Sequence, residues 1–169
     1  MIDFPQSLFI NMANKKEEKT NVMRLLDAAK IEYSFHSYDE SIVDGQSVAK
    51  AVGEDENRVF KTLVTVGSDG EHYVFMIPVN CSLNLRKAAK AAGVKSVEMI
   101  KQKDLLPLTG YIHGGCSPIG MKKKFPTFIE ESATLYDKVF YSAGRVGRQV
   151  STTLDDLIKA ADVIVADLV

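Results

Sequence analysis

Early in the chain, Val22, Leu25, Leu26 and Ala29 fall at i, i+3, i+4 and i+7, the spacing that lines one face of a helix. Ile31, Tyr33 and Phe35 then alternate with polar residues, as in a half-buried strand ending near Tyr38. Ser47, Val48, Ala49 and Val52 read as a short helix capped at Ser47 and closed by Gly53. Residues 59–66 are almost all apolar or β-branched, and Ser68-Asp69-Gly70 turns them back into residues 73–78, which predicts a β-hairpin. A helix over 85–92 stops at Gly93, and another over 101–106 is cut by Pro107. Tyr111-Ile112 reads as a strand leading into the loop 114–120. Residues 127–129 and 139–142 are strands, and Val150 begins or continues another after the Ala143-Gly144-Arg145 turn. Thr152 and Asp155 resemble a capping pair for a helix through Ala160, and residues 163–165 form a final buried strand.

Strands and helices mix without a βαβ alternation, so the expected class is a single α+β domain. Its extent is 20–169. Residues 1–19, a short apolar piece followed by a charged run, read as a leader, with Met12 an alternative start. A chain of 169 residues, 46% hydrophobic, buries about 70% of its unfolded surface and needs no metal or disulfide to fold. Cys81 and Cys116 are its two cysteines, which fits a reducing compartment. No apolar run approaches a membrane span and residues 4–10 lack a basic flank, so the expected location is cytoplasmic. Net charge is −1, but residues 86–124 hold nine basic against two acidic residues, so that segment is +7 and the remainder −8. Such a distribution either steers a polyanion to one face or scatters over a solvated surface on folding.

Lys61 is the most informative residue. It stands in a strand that reads as covered on both faces, where a lysine must reach a carboxylate, snorkel outward or line a wet cleft. Gly114-Gly115 lets backbone N–H groups approach a ligand; two amides aimed at a carbonyl would make an oxyanion or carboxyl site, and a plain tight turn is the other reading. The run from Gly115 to Gly120 starts like a phosphate loop, but Met121-Lys122 follows where Lys-Ser/Thr is needed and Pro118 removes an amide, which excludes an NTPase. His113 and Cys116 stand in no nucleophile motif. The three histidines and two cysteines lack the short paired spacings of a zinc site, so neither metal nor cofactor is expected.

Phe60-Lys61-Thr62-Leu63, Thr109-Gly110-Tyr111, the run from Gly114 to Lys123, and Ser142-Ala143-Gly144 stand in the order and spacing of the YbaK/EbsC family. His36-Ser37-Tyr38, the run from Asn84 to Lys90, and Val97-Glu98-Met99 agree, and the resemblance covers about residues 20–157. It implies a mixed β-barrel-like sheet surrounded by helices, related to the editing insertion of bacterial prolyl-tRNA synthetases. It also implies release of an amino acid from tRNA, chiefly cysteine from tRNA(Pro), by the substrate's own thiol or by water. Carried over by motif, Lys61 is the essential lysine, Tyr38, Thr62 and Ser142 are pocket residues, and Gly114 with Gly115, Ser117 and Pro118 contacts the aminoacyl ester. Lys122, Lys123 and Lys124 would hold tRNA phosphates. The partner is then aminoacyl-tRNA, with prolyl-tRNA synthetase a candidate and a homodimer left open. Two departures stand out. The family's Ser-Gly-Gly-x-Arg-Gly turn is Ser142-Ala143-Gly144-Arg145-Val146-Gly147-Arg148 here, and Cys116 replaces an aliphatic residue. A non-catalytic tRNA-binding module and a regulatory binding domain are the rival readings.

Overall fold

The computed structural model describes residues 18–169, so most of the expected leader lies outside the described residues. The hairpin appears as expected: β2 (Phe60–Gly67) pairs antiparallel with β3 (His72–Pro78), Lys61 opposite Ile77 and Leu63 opposite Phe75. Its turn holds because Gly70 accepts a φ of +81° and the Asp69 carboxylate takes hydrogen bonds from Glu71 N (3.0 Å) and the Tyr73 hydroxyl (2.6 Å). β3 is central in a five-stranded sheet, flanked through β5 (Thr127–Glu130) by β8 (Ile164–Ala166) and through β2 by β4 (Val97–Met99). The pairings of β3 with β5 and β5 with β8 are parallel.

A second, antiparallel sheet of three strands runs in the order β1 (Ser34–Ser37), β7 (Arg148–Thr152), β6 (Val139–Ser142). A single bridge between Val59 and Phe140 joins the two sheets, curling them into one mixed, barrel-like wall. α1 (Asn21–Ala28) and α5 (Leu154–Ala161) close one side, placing Val22, Leu26 and Leu157 against Tyr141, Val150 and Ile129. α3 (Leu85–Ala92) closes the other, with Ala88 and Ala89 against Phe75, Ile77 and Phe128. Buried Glu130 ties down the C-terminal segment by accepting from Leu168 N (3.1 Å) and Ser132 N (2.8 Å). Among the described residues no helix is long and apolar enough to cross a membrane.

Several expected details shift. Met23, not Leu25, completes the buried face of α1, and Leu25 is 41% exposed. Phe35 is 48% exposed, because the short β1 lies at a sheet edge with its alternate side chains facing solvent. α2 (Gly45–Ala51) is capped by Asp44, whose carboxylate accepts from Ser47 N (3.0 Å), not by Ser47 itself. α4 (Gln102–Thr109) runs through Pro107. One interior bond is lost there, and the helix ends a turn later where Gly110 takes φ +84° and donates to Leu106 O (2.8 Å). Residues 111–112 form no strand; the Tyr111 hydroxyl instead donates to Ile119 O and staples the following loop. Thr153 rather than Thr152 caps α5, accepting from Asp156 N (3.1 Å). β8 is an exposed edge rather than a buried strand: Val163 is buried but Ile164 is 54% exposed.

The cap of α3 offers a test. Asn84 Oδ1 accepts from Arg86 N and Lys87 N, both at 3.1 Å, so Asn84→Ala should cost about 1 kcal/mol of stability in urea unfolding. A midpoint unchanged from wild type would show that the cap contributes nothing.

Candidate active site

β2 has a neighbour on one edge throughout but on the other only at residues 65–67, where β4 pairs with it. Val79 N donates to Val59 O (2.9 Å) and Gly67 N to Glu71 O (2.8 Å), so the odd-numbered residues of β2 bond to β3. The backbone groups of Phe60 and Thr62 therefore point the opposite way, toward a cleft of about 330 Å³. Val64 O, the next in that series, is taken by Ile100 N (3.3 Å) and closes the opening.

Phe60, Lys61, Thr62 and Leu63 form one wall of this cleft. Tyr38 beyond the end of β1 and Val43, Asp44, Gly45 and Val48 at the start of α2 form another; His113, Gly114 and Cys116 lie across from them, and Ser142 and Gln149 complete the floor. Lys61 is half-buried, and among the described residues its ammonium has neither a hydrogen-bond nor an ion-pair partner. Of the three fates open to a lysine in an apolar strand, the fold selects the cleft. Burial pushes the Tyr38 phenol up from its ordinary value, offset in part by hydrogen bonds from the Gly147 backbone and the Gln149 side chain. Two further polar atoms of the wall, Thr62 Oγ1 and Gln149 Oε1, are shut off from solvent without a partner.

The glycine loop is built differently from the two-amide expectation. Gly114 has φ +86°, a conformation that excludes most side chains, and it lines the cleft. Gly115 does not: its N–H is consumed by Ile112 O (3.0 Å), and a Cβ there would stand 3.0 Å from Val146 N. The missing side chain of Gly115 lets the loop lie against the 145–146 backbone. Ser117 is fully buried and its Oγ accepts from Ile119 N (3.3 Å), while Pro118 lines a separate hollow with Lys123 and Lys124. The fold thus brings together Tyr38, Lys61, Thr62, Gly114 and Ser142, and leaves Gly115, Ser117 and Pro118 behind the wall. Lys122, Lys123 and Lys124 are exposed outside the cleft; Lys124 is paired with Asp162 and Lys123 sits 5.9 Å from the Phe125 ring centre.

Cys116 reaches the wall, but burial pushes its thiol up to about 12, so at neutral pH it is a protonated, poorly nucleophilic group. Cys81 lies off the cleft, its thiol 3.5 Å from Asn80 Oδ1. Sequence reasoning missed the contributions of Val43, Asp44, Leu63, Leu105 and Gln149. Only Gln149 left a signal, as an amide inside an otherwise buried strand.

Residues 39–160 match the family model described as the aminoacyl-tRNA editing domain. The chain belongs to that family. Within it the likeness is to the YbaK/EbsC group, and the protein is an aminoacyl-tRNA deacylase. EbsC of Enterococcus faecalis, named as a candidate Cys-tRNA(Pro)/Cys-tRNA(Cys) deacylase, is 48% identical over 142 residues, covering 82% of this chain and 87% of its own. A solved candidate trans-editing enzyme for prolyl-tRNA synthetase superposes with a TM-score of 0.76 at 25% identity, over 87% of this chain and 93% of that one. The hypothetical protein APE2540 shares the fold with a TM-score of 0.80 at 23% identity, over 89% and 99%.

An unpaired ammonium in a protein wall contributes no ion-pair stabilisation. Lys61→Met, which keeps the side-chain length, should leave the melting temperature at or above that of wild type. A drop of several degrees would mean that Lys61 has a structural partner.

Proposed function

We propose that the protein is a trans-editing enzyme that frees cysteine mischarged onto tRNA(Pro), and also acts on Cys-tRNA(Cys), with residues 20–169 as the editing domain. The observation that carries this reading is the Lys61 ammonium, without a counter-charge among the described residues, in a cleft large enough for an aminoacyl-ribose end. The name of the relative from Enterococcus faecalis supports the choice of cysteine, and that of the 25% identical structure supports prolyl-tRNA synthetase as the partner whose errors are cleared.

An aminoacyl ester is already activated, so the enzyme has to orient it and stabilise the charge that develops on the carbonyl oxygen. Lys61 supplies the positive charge, either to that oxygen or to the terminal ribose and phosphate. The Gly114 backbone approaches the aminoacyl group without a side chain in the way, and Tyr38, Thr62 and Ser142 bracket it. The attacking group is the substrate's thiol or a water, since the one enzyme thiol in the wall stays protonated. When the substrate sulfur attacks, its bond to the carbonyl carbon forms as the ester C–O bond breaks. The thiol proton ends on the tRNA hydroxyl, and the thiolactone left behind is opened by water. Lys122, Lys123 and Lys124 then meet tRNA phosphates beside the cleft, Lys124 exchanging Asp162 for a phosphate.

Lys61→Ala should abolish deacylation of Cys-tRNA(Pro) in a protein that still folds; near wild-type turnover in the folded variant would sink the assignment. The Cys81→Ala/Cys116→Ala double variant should remain active and should cleave Cys-tRNA much faster than Ser-tRNA. A sulfhydryl of pKa ~8.5 is a few per cent ionised at neutral pH, while a serine hydroxyl is hardly ionised at all. Equal rates for the two substrates would favour water as the attacking group, and a folded but inactive double variant would return Cys116 to the mechanism.

Changing Lys122, Lys123 and Lys124 together to Glu should weaken tRNA binding and flatten its dependence on salt. An unchanged slope of affinity against salt would leave these lysines as solvated surface charges.

A further inference from the structure

His36, Gln149 and Ser142 form one row across the three-stranded sheet: His36 is paired in register with Gln149, and Gln149 with Ser142. Directly opposed residues share a face; Ser142 and Gln149 line the cleft, and His36 continues the row outside it. Gln149 is only 5% exposed. Its Oε1 and the His36 Nε2 are each shut off from solvent and, among the described residues, each without a partner. One is an acceptor and the other, in the Nε2–H form of the imidazole, a donor. Buried polar atoms rarely stay unmatched, and two complementary ones on opposed positions of neighbouring strands, not hydrogen-bonded to each other, can be matched by one shared water. The His36 ring is held for this by its packing on Phe140, centroids 5.2 Å apart. At the other end of the amide stands Tyr38, two residues beyond His36 and anchored by Tyr38 N donating to Gly147 O (3.0 Å). Tyr38 and Gln149 both line the cleft, and the Gln149 side chain is among the influences that offset the burial-driven rise of the Tyr38 phenol.

Resting on the deacylase reading above, we propose that His36 and Gln149 are positioning residues that act through Tyr38. The His36 Nε2–H donates to one water that donates in turn to Gln149 Oε1, and so fixes which way the amide points. The amide NH₂ then donates to the Tyr38 oxygen. With its lone pair occupied in this way, the Tyr38 O–H is turned into the cleft as a donor to the aminoacyl carbonyl, opposite Lys61. Neither His36 nor Gln149 needs to touch the reacting atoms. An amide without the histidine would be free to present either end, and a tyrosine without the amide would be free to rotate its proton away from substrate.

Two arms test this. In nitrogen-15 histidine spectra of the wild-type protein at neutral pH, His36 should be held as the Nε2–H tautomer, and Gln149→Leu should release it to a mixture. A wild-type His36 in the Nδ1–H form, or a tautomer indifferent to Gln149→Leu, overturns the proposal; the first of these needs no variant to fold. In deacylation of Cys-tRNA, Gln149→Leu and His36→Phe should each lower kcat roughly three- to tenfold, the range for one lost hydrogen bond, with KM little changed. His36→Gln, which keeps an N–H, should restore most of it. In a Tyr38→Phe background, Gln149→Leu and His36→Phe should lower kcat no further. Full multiplicative losses there would show that the two residues act independently of Tyr38 and overturn the chain. A wild-type protein that releases no amino acid from Cys-tRNA defeats the proposed function alone, and the spectroscopic arm still decides the positioning chain.

Discussion

The site depends on an incomplete strand. β2 is fully paired with β3, which makes it rigid, yet its second edge is covered only at residues 65–67 and at the single bridge near Val59. A sheet edge left open in water invites pairing with another chain. Here it is covered by α2, the glycine loop and the floor of the second sheet, which do not pair with it but stand off far enough to leave a cleft. The backbone of Phe60 and Thr62 therefore faces a protected space, and the side chain between them, Lys61, is carried to the same place. A loop lysine would have to be ordered on binding; a strand lysine has already lost that freedom on folding.

Around this edge the protein tolerates groups that a purely structural wall would exclude. Among the described residues Lys61 lacks a counter-charge, and Thr62 Oγ1, Gln149 Oε1 and His36 Nε2 lack partners, although the great majority of buried polar atoms in proteins are matched. Three of these four residues line the same cleft. By contrast, the one thiol in the wall is rendered inert by the burial that surrounds it. The proposed chemistry accordingly relies on fixed charge and oriented dipoles rather than on the enzyme's thiol. That suits an ester that is already activated, where orientation and charge stabilisation are what the reaction lacks.

The glycine loop shows how the same residue type serves two ends one position apart. Gly114 takes a left-handed backbone and opens toward the ligand space; Gly115 gives its amide to Ile112 O and its missing Cβ to close contact with Val146 N. Ser117 and Ile119 behind them are buried and bonded, so the loop is a rigid partition rather than a lid. Val146, one of the departures from the family's turn, packs against both glycines.

Strong local patterns made the hairpin of β2 and β3, the helix closed by Gly93 and the strand at residues 139–142 legible from sequence, because each is encoded by neighbours within a few residues. Lys61 was legible for the same reason: a charge in an apolar strand is a local contradiction. Where the sequence went astray, the deciding contact was distant or the competing choices were close in energy. Thr152 and Thr153 differ by one residue as caps. Pro107 was survivable in a short helix closed by Gly110. Residues 163–165 carry the composition of a buried strand, but sheet order put them at an edge. Tertiary structure alone decided that Gly114 and not Gly115 lines the cleft, and that Gln149 lies opposite His36, more than a hundred residues away in the chain. Register between distant strands is set by which faces the whole core can bury, and no local stretch of sequence contains that information.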